Sequence, residues 1–542
     1  MSESRISQFS SSTPTGWTES CLGDLLEVVR GVGFPATAKK ATSGDGIVGC
    51  LRTTNVQATV EWDDLWFIPE TFVRSPDQIV RKHDILISLA NSLYLVGKVA
   101  LVGEVPVRST LGAFISAIRT PEPLDARFVY YQMAAEQTQQ AIRAMASTTT
   151  NISNVSTTKV ANLPLRIAPL SEQTRIADRI DELFTDLAAG VASLERVKRN
   201  LARYRAAVLH AAVTGRLTAG WRKKNGKSEE PAPKLLQRIL IERRRQWEQR
   251  ALAKYEKAGK EPPKGWKERY TEPKPPRLTT EGTQTVLPTL PAGWCWASID
   301  QVSDVTGGVA KNQKEAGRKG MREVPYLRVA NVQRGFLNLD EIKSISATEA
   351  DIHELRLQVG DVLFTEGGDR DKLGRGWVWN GELGECIHQN HIFRARLFLS
   401  ELLPVLVSHA GNSYGQIWFR SNGIQSVNLA SISLGVLRQF PVPIAPATEQ
   451  AAIVEAVTEK LSQIDSLEAE VARGLTRAAG LRQAILRAAF EGKLVPQDPA
   501  DEPAEMLLER IRAQRTAMPA QKRRFQARRA EKSELRGRNR RT

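Results

Sequence analysis

Pro164–Leu217 reads PLRIAPLSEQTRIADRIDELFTDLAAGVASLERVKRNLARYRAAVLHAAVTGRL, and 277 residues later Pro441–Leu494 reads PVPIAPATEQAAIVEAVTEKLSQIDSLEAEVARGLTRAAGLRQAILRAAFEGKL. The two align without a gap and share 18 of 54 positions, where unrelated segments would share roughly one in fifteen to twenty. The chain therefore carries an internal duplication, and everything else is organised around it. Within the first copy Ile176, Ile180, Leu183, Leu187, Leu194, Val197, Leu201, Tyr204 and Val208 step mostly by four and three; Ile453, Val457, Leu461, Ile464, Leu467, Val471, Leu475, Leu481 and Ile485 do so in the second. That spacing predicts a long helix with a coiled-coil seam. Pro169 with Ser171, and Pro446 with Thr448, read as helix starts with the hydroxyl as N-cap; Gly215 and Gly492 read as C-terminal caps. About 43 residues at a rise of about 1.5 Å give a rod of about 65 Å. Two equal rods in one chain pair most simply antiparallel, giving an internal pseudo-twofold.

Outward from the helices the same offset persists. Gly16-Trp17 returns as Gly293-Trp294, Asp84-Ile85-Leu86 as Asp361-Val362-Leu363, and Asn151 as Asn428. Short β-rich runs broken by Gly and Pro, such as Asp84–Leu89 and Ile392–Leu397, alternate with helical stretches such as Ala126–Ala146, so each first part reads as a mixed α/β (α+β) globule. The expected order is a globule over 1–163, a helix over 164–217, a basic linker over 218–287, a second globule over 288–440, a second helix over 441–495 and a basic tail over 496–542. The basic segments repeat as well: Glu230-Pro231-Ala232 with Leu235-Leu236 resembles Glu502-Pro503-Ala504 with Leu507-Leu508.

The net charge of +16 points to a polyanionic partner. Residues 222–277 hold 18 Lys/Arg against 8 Asp/Glu, residues 496–542 hold 13 against 7, and the remainder nets zero. No stretch of about 20 apolar residues suggests a membrane span, and no apolar N-terminal segment suggests a signal peptide. Cys21, Cys50, Cys295 and Cys386 form no CxxC pair, which fits a reducing, cytoplasmic setting.

No catalytic motif is met. Gly226-Lys227-Ser228 lacks the first glycine of a phosphate loop, since position 221 is Trp221. Neither Asn-Pro-Pro nor Asp-Pro-Pro occurs, as an amino-methyltransferase of the DNA type requires, and Gly367–Gly376 does not have dinucleotide-loop spacing. Pro76-Asp77 has no following acid-x-Lys pair for a nuclease metal. Cys386-x-His388-x-x-His391 is the most metal-like cluster, but it has no second ligand pair, and Ala113 and Phe114 stand where Asn390 and His391 do.

Ile167–Gln173 and Ile444–Gln450 at the helix starts, with Arg205–Leu217 and Arg482–Leu494 at the helix ends, resemble the specificity subunits of Type I restriction-modification systems. The resemblance spans essentially the whole chain. It implies two target recognition domains, each reading half of a bipartite double-stranded DNA sequence, with the helices setting the unread gap. It also implies a non-catalytic bacterial or archaeal subunit that docks two methyltransferase subunits and recruits ATP-driven restriction subunits. S-adenosylmethionine, ATP and Mg would belong to those partners, and no cofactor to this chain. Glu172, Gln173, Glu449 and Gln450, opening the helices, are the expected partner contacts.

Comparing the heads loop by loop, Ser88–Val102 aligns with Thr365–Trp379. Gly97-Lys98 matches Gly374-Arg375, whereas Asn91, Ser92, Leu93 and Tyr94 face Gly368, Asp369, Arg370 and Asp371. Shared cations suit phosphates, and divergent polar groups suit bases. Asn91, Ser92, Tyr94, Lys98, Asp369, Arg370, Asp371, Lys372 and Arg375 are therefore the candidate DNA contacts, with a plain surface turn as the alternative reading. Thr148-Thr149-Thr150 and Gln425-Ser426 are weaker candidates for phosphate contact, and their hydroxyl and amide groups read first as turn caps. Arg52-x-x-Asn55 and Arg328-x-x-Asn331, alike in both heads, read as structural or phosphate-directed.

Overall fold

The two long helices run Leu170–Val213 and Ala447–Phe490, 44 residues each. Both begin one residue before the expected cap, so Ser171 and Thr448 sit inside the first turn. The Pro169 and Pro446 carbonyls take the opening amide bonds, from Gln173 at 2.9 Å and from Gln450 at 3.1 Å. Ser171 donates its hydroxyl to Asp501 instead (2.7 Å). The far ends stop as expected: Gly215 and Gly492 have φ of +70° and +69°, a conformation only glycine adopts without strain. This computed structural model describes residues 13–149, 152–226, 228–278, 287–310, 320–368, 372–425 and 430–517.

The chain divides into two compact units, Met1–Leu194 with Ala472–Thr542, and Glu195–Val471. Each unit contains the first half of one long helix and the second half of the other. In the first, Ile176 and Ile180 share a core with Ile485, Leu486, Ala489 and Phe490, and the Arg482 guanidinium lies 4.1 Å over the Phe184 ring. In the second, Leu209 and Ala212 pack with Ile453, Val457 and Leu461, and Arg205 pairs with Asp465 and with Glu468 (3.0 Å). The expected antiparallel pairing is thus present inside each unit. The seam is narrower than its sequence suggests, because Val197, Tyr204, Leu467 and Leu481 are exposed. A straight helix of 3.6 residues per turn drifts away from a 3.5-residue stripe.

The heads repeat strand for strand. In the first, a four-stranded antiparallel sheet runs Glu27–Arg30, Ile115–Arg119, Ile85–Ser88, Val99–Leu101; in the second it runs Ser303–Gly307, Ile392–Leu397, Val362–Thr365, Gly376–Val378. A mixed three-stranded sheet pairs Ile47–Leu51 with Trp66–Pro69 antiparallel and with Ser109–Leu111 parallel. Its copy pairs Met321–Leu327 with Lys343–Thr348 and Ile387–His388. Buried carboxylates Asp84 and Asp361 are held by Arg119 and Arg396, each at 2.7 Å. A short antiparallel pair joins each head to its helix: Thr18–Cys21 with Pro164–Ile167, and Cys295–Ser298 with Pro441–Ile444. The mixed α+β expectation for the heads therefore stands.

The basic segments are more than linker and tail. Helix Ala232–Lys257 buries Ala232, Leu235 and Ile239 in the second head's core. Helix Ala504–Ala517 buries Ala504, Leu507, Leu508 and Ile511 in the first. The repeated Glu-Pro-Ala is the docking point: the Ala232 amide donates to the Gly293 carbonyl (2.8 Å) and that of Ala504 to Gly16 (2.9 Å). Apolar residues at helical spacing outweigh the surrounding charge, so these segments fold onto the heads. Among the described residues no helix is long and apolar enough to cross a membrane.

Candidate nucleic-acid interface

At the margin of each four-stranded sheet the chain builds a small three-stranded flange. In the first head Ala90–Asn91 pairs with Ile152–Asn154, which pairs with Ser147–Thr149. In the second, Gly367–Gly368 pairs with Ala430–Ser431, which pairs with Ile424–Gln425. The flange gathers residues that are far apart in sequence. Asn91 and Thr148 flank Ser153 from opposite sides, and the Asn91 carboxamide accepts from the Ser92 amide (2.9 Å). Thr148 is thus a strand residue, hydrogen-bonded to Ser153 (2.9 Å), and not a turn cap. Tyr94 is 87% exposed, and Leu93, Leu95, Phe114 and Ile152 are also exposed. Asp369, Arg370, Asp371, Thr150, Asn151, Ser426 and Asn428 lie outside the described residues.

Backbone contacts at the two flanges correspond. The Leu89 amide donates to the Phe114 carbonyl (2.8 Å), and the Glu366 amide to the His391 carbonyl (2.9 Å). The side chains do not correspond: exposed Phe114 in one head is replaced by His391, whose Nδ1 meets the Glu366 carboxylate, in the other. Phe114, Ile152, Glu366 and His391 are interface candidates that motif reading missed. Their signal was the divergence between Phe114 and His391 at equivalent positions.

The shared cations do not stand free for phosphates. Lys98 Nζ donates to the Gln57 side chain, and Arg375 Nη2 to the Val329 carbonyl (3.0 Å). Each ties its flange loop to a neighbouring loop, which the recurring Arg-x-x-Asn closes. The Asn55 carboxamide accepts from the Arg52 amide (2.7 Å) and donates to the Glu61 carbonyl (2.9 Å). Asn331 accepts from the Arg328 amide (2.8 Å) and donates to the Asn338 carbonyl (2.9 Å). Arg52 pairs with Asp64, and Arg328 with Glu341 at 3.2 Å. The structural reading of Arg-x-x-Asn is the one the geometry supports. Lys372 is half-buried beside Gly368, and its carbonyl accepts from the Thr365 hydroxyl (2.8 Å). Gly97 (φ +88°) and Gly374 (φ +60°) turn these loops where a Cβ would meet Ile142 or Phe419.

Glu172, Gln173, Glu449 and Gln450, expected to face a partner, are buried instead. They fasten helix to head. Trp17 Nε1 donates to Glu172 (3.0 Å) and Trp294 Nε1 to Glu449 (2.8 Å). The Gln173 carboxamide accepts from the Asp125 amide (3.2 Å) and donates to the Ala168 carbonyl (2.8 Å). Gln450 does the same with Leu403 and Ala445, each at 2.9 Å. A buried side chain with these bonds has no surface to offer. The copies differ in one respect. Glu449 also accepts from Thr218 (2.6 Å) and pairs with Arg222, whereas Glu172 Oε1 is buried without a partner. Burial pushes the Glu172 carboxyl above its usual range, against the pull of the Trp17 hydrogen bond.

The cysteine-histidine cluster is split between surroundings. The His388 imidazole is buried against the Ile392 carbonyl (2.9 Å), with burial pushing it down to about 4. Burial pushes the Cys386 thiol up to about 12, and His391 is engaged with Glu366. Among the described residues no group of three or more His, Cys, Asp or Glu side chains could hold a metal ion.

Duplicated heads with matching scaffolds and unlike flanges, each fastened by a Trp-Glu bond to a long helix, define a modular recognition chain. Residues 14–196 match the family of the Type I restriction modification DNA specificity domain. The Type I restriction enzyme EcoKI specificity subunit of Escherichia coli (strain K12) is 25% identical, over 94% of this chain and 97% of its own length. The StySPI specificity subunit of Salmonella potsdam is also 25% identical, with the same shares covered. A chain from a type I R-M system, solved for its complex assembly and conformational transition, shares the fold at a TM-score of 0.53 with 17% identity, covering 89% of this chain and 100% of that one. Over its length the chain is thus similar to the specificity subunits of Type I restriction-modification systems, with the DNA specificity domain of that family matched at residues 14–196.

Proposed function

We propose that this chain chooses the DNA target of its restriction-modification complex by reading half of a bipartite duplex sequence with the flange of each head. The observation carrying this reading is that the two flanges share strand pairing and backbone hydrogen bonds yet differ in their outward chemistry. Asn91, Ser92, Tyr94 and Phe114 occupy one; Gly368, Lys372 and the Glu366–His391 pair occupy the other. A scaffold kept constant under a variable surface suits a reader of sequence, because phosphates are alike everywhere and base edges are not. The chain supplies no chemistry of its own in this reading. Two methyltransferase subunits and the restriction subunits join it and bring S-adenosylmethionine, ATP and Mg.

The test is to map methylated bases in cells carrying the intact system. Two short defined blocks around an undefined gap are expected. Replacing Asn91–Tyr94 should alter one block, and replacing Glu366 with His391 the other, with the gap unchanged. A single uninterrupted motif, or replacements that leave both blocks intact, would refute the assignment.

A further inference from the structure

We propose that helix Ala232–Lys257 and the return segment 258–278 form a sequence-independent anchor for the phosphate backbone of duplex DNA, an inference that rests on the chain being a DNA reader. The segment folds back along its own helix. At its base the Lys274 amide donates to the Asp300 carboxylate (3.0 Å) and the Arg277 amide to the Gln439 carbonyl (3.0 Å). Midway, Tyr270 lies 5.3 and 5.4 Å from the Arg243 and Arg244 guanidinium groups. Trp247 meets Tyr270 edge-on at 5.4 Å and stacks on Trp266 at 6.1 Å. Lys267 bridges to Glu248 at 3.2 Å. The aromatic rings are thus engaged in closing the hairpin, which removes them as stacking platforms for unpaired bases.

Its far end has a different character. Lys254, Lys257, Lys260 and Lys264 are exposed and make no ion pair among the described residues, while Glu256 and Glu261 are the carboxylates beside them. Lys254 and Lys257 lie in the last helical turn, where a cation offsets the helix dipole. That reason does not extend to Lys260 and Lys264, which lie beyond the helix. Between Leu252 and Leu278, at the base, no large exposed apolar side chain accompanies them, and a protein interface needs such anchors at its centre. Ammonium groups on flexible stems, without apolar company, fit phosphates met in no fixed register.

The experiment uses the full chain and a duplex of scrambled sequence, with binding measured across a salt series. Each phosphate contact contributes about 0.9 to the slope of log affinity against log salt. Replacing Lys254, Lys257, Lys260 and Lys264 by Ala should therefore flatten the slope by about 2 to 4 and weaken binding at low salt at least tenfold. Replacement by Arg should preserve both, and the methylated motif should be unchanged in either variant. An unchanged slope in the Ala variant overturns the proposal, as does an Arg variant that loses as much. So does an unaltered chain that fails to bind scrambled duplex at low salt. Failure of sequence reading alone would show as equal affinity for motif and scrambled duplexes, with the slope difference intact.

Discussion

The two helix-to-head fasteners share a design but differ in their partners, and substitution should separate them. Glu449 accepts hydrogen bonds from Trp294 and Thr218 and faces Arg222, whose side chain is 23% exposed. Glu449→Gln leaves that guanidinium without its carboxylate. Breaking a buried pair costs about 3–5 kcal/mol; the partial exposure of Arg222 places this case near about 3. Glu172→Gln keeps an acceptor for Trp17 and removes a charge from a site where one oxygen has no partner, so its effect at neutral pH should stay within about 1 kcal/mol. The difference of about 2 kcal/mol is roughly a thirtyfold change in local opening. Hydrogen exchange on the intact chain, followed separately in peptides from the starts of the two long helices, measures it. The pH dependence adds a second readout. Because the Glu172 carboxyl is raised in the folded state, its contribution is fully present below the unfolded value of about 4.3 and is lost as pH rises through the folded one. Protection in the first unit, corrected for intrinsic exchange, should therefore increase on acidification from neutral pH towards that value, and E172Q should flatten the increase. Equal losses from E172Q and E449Q, or an undiminished pH response in E172Q, would refute the reasoning.

Leu235→Ala and Leu507→Ala should each destabilise their unit by about 2–4 kcal/mol, seen as a lowered unfolding midpoint, because both side chains belong to head cores; an effect below about 0.5 kcal/mol would return them to solvated segments. Gly97→Ala and Gly374→Ala force a Cβ to 2.5 Å from Ile142 and 2.1 Å from Phe419 at positive φ, so each should cost at least about 2 kcal/mol. Methylome sequencing should show recognition failing first in the half read by the altered head.

Much of this architecture was legible because duplication supplies its own control. The 277-residue offset places Asp84 on Asp361 and Gly97 on Gly374, and the structure gives each pair the same role. The long helices were legible from their apolar period and terminal glycines. What escaped is long-range. Pro-x-Ser/Thr-Glu-Gln looks like an exposed, capped first turn when read along the chain. The group that buries its glutamate is a tryptophan 155 residues earlier in both copies, and no local pattern announces it. The flange escaped for the same reason, since Asn91 and Ser153 become neighbours only through strand pairing. Charge concealed the folding of the basic helices, in which the buried Ala232, Leu235 and Ile239, and Ala504, Leu507, Leu508 and Ile511, lie among charged residues.

The division of each long helix between two units bears on how the chain is made. The second unit is one uninterrupted stretch, Glu195–Val471, whereas the first needs both Met1–Leu194 and Ala472–Thr542. On the ribosome, the second unit has its whole complement of residues while the first still lacks Ile485, Leu486 and Phe490 beneath its head and Leu507, Leu508 and Ile511 beside it. Completion therefore runs against the direction of synthesis: of the two heads, the one translated first closes last, and its apolar underside stays uncovered until residues 485–511 have been made.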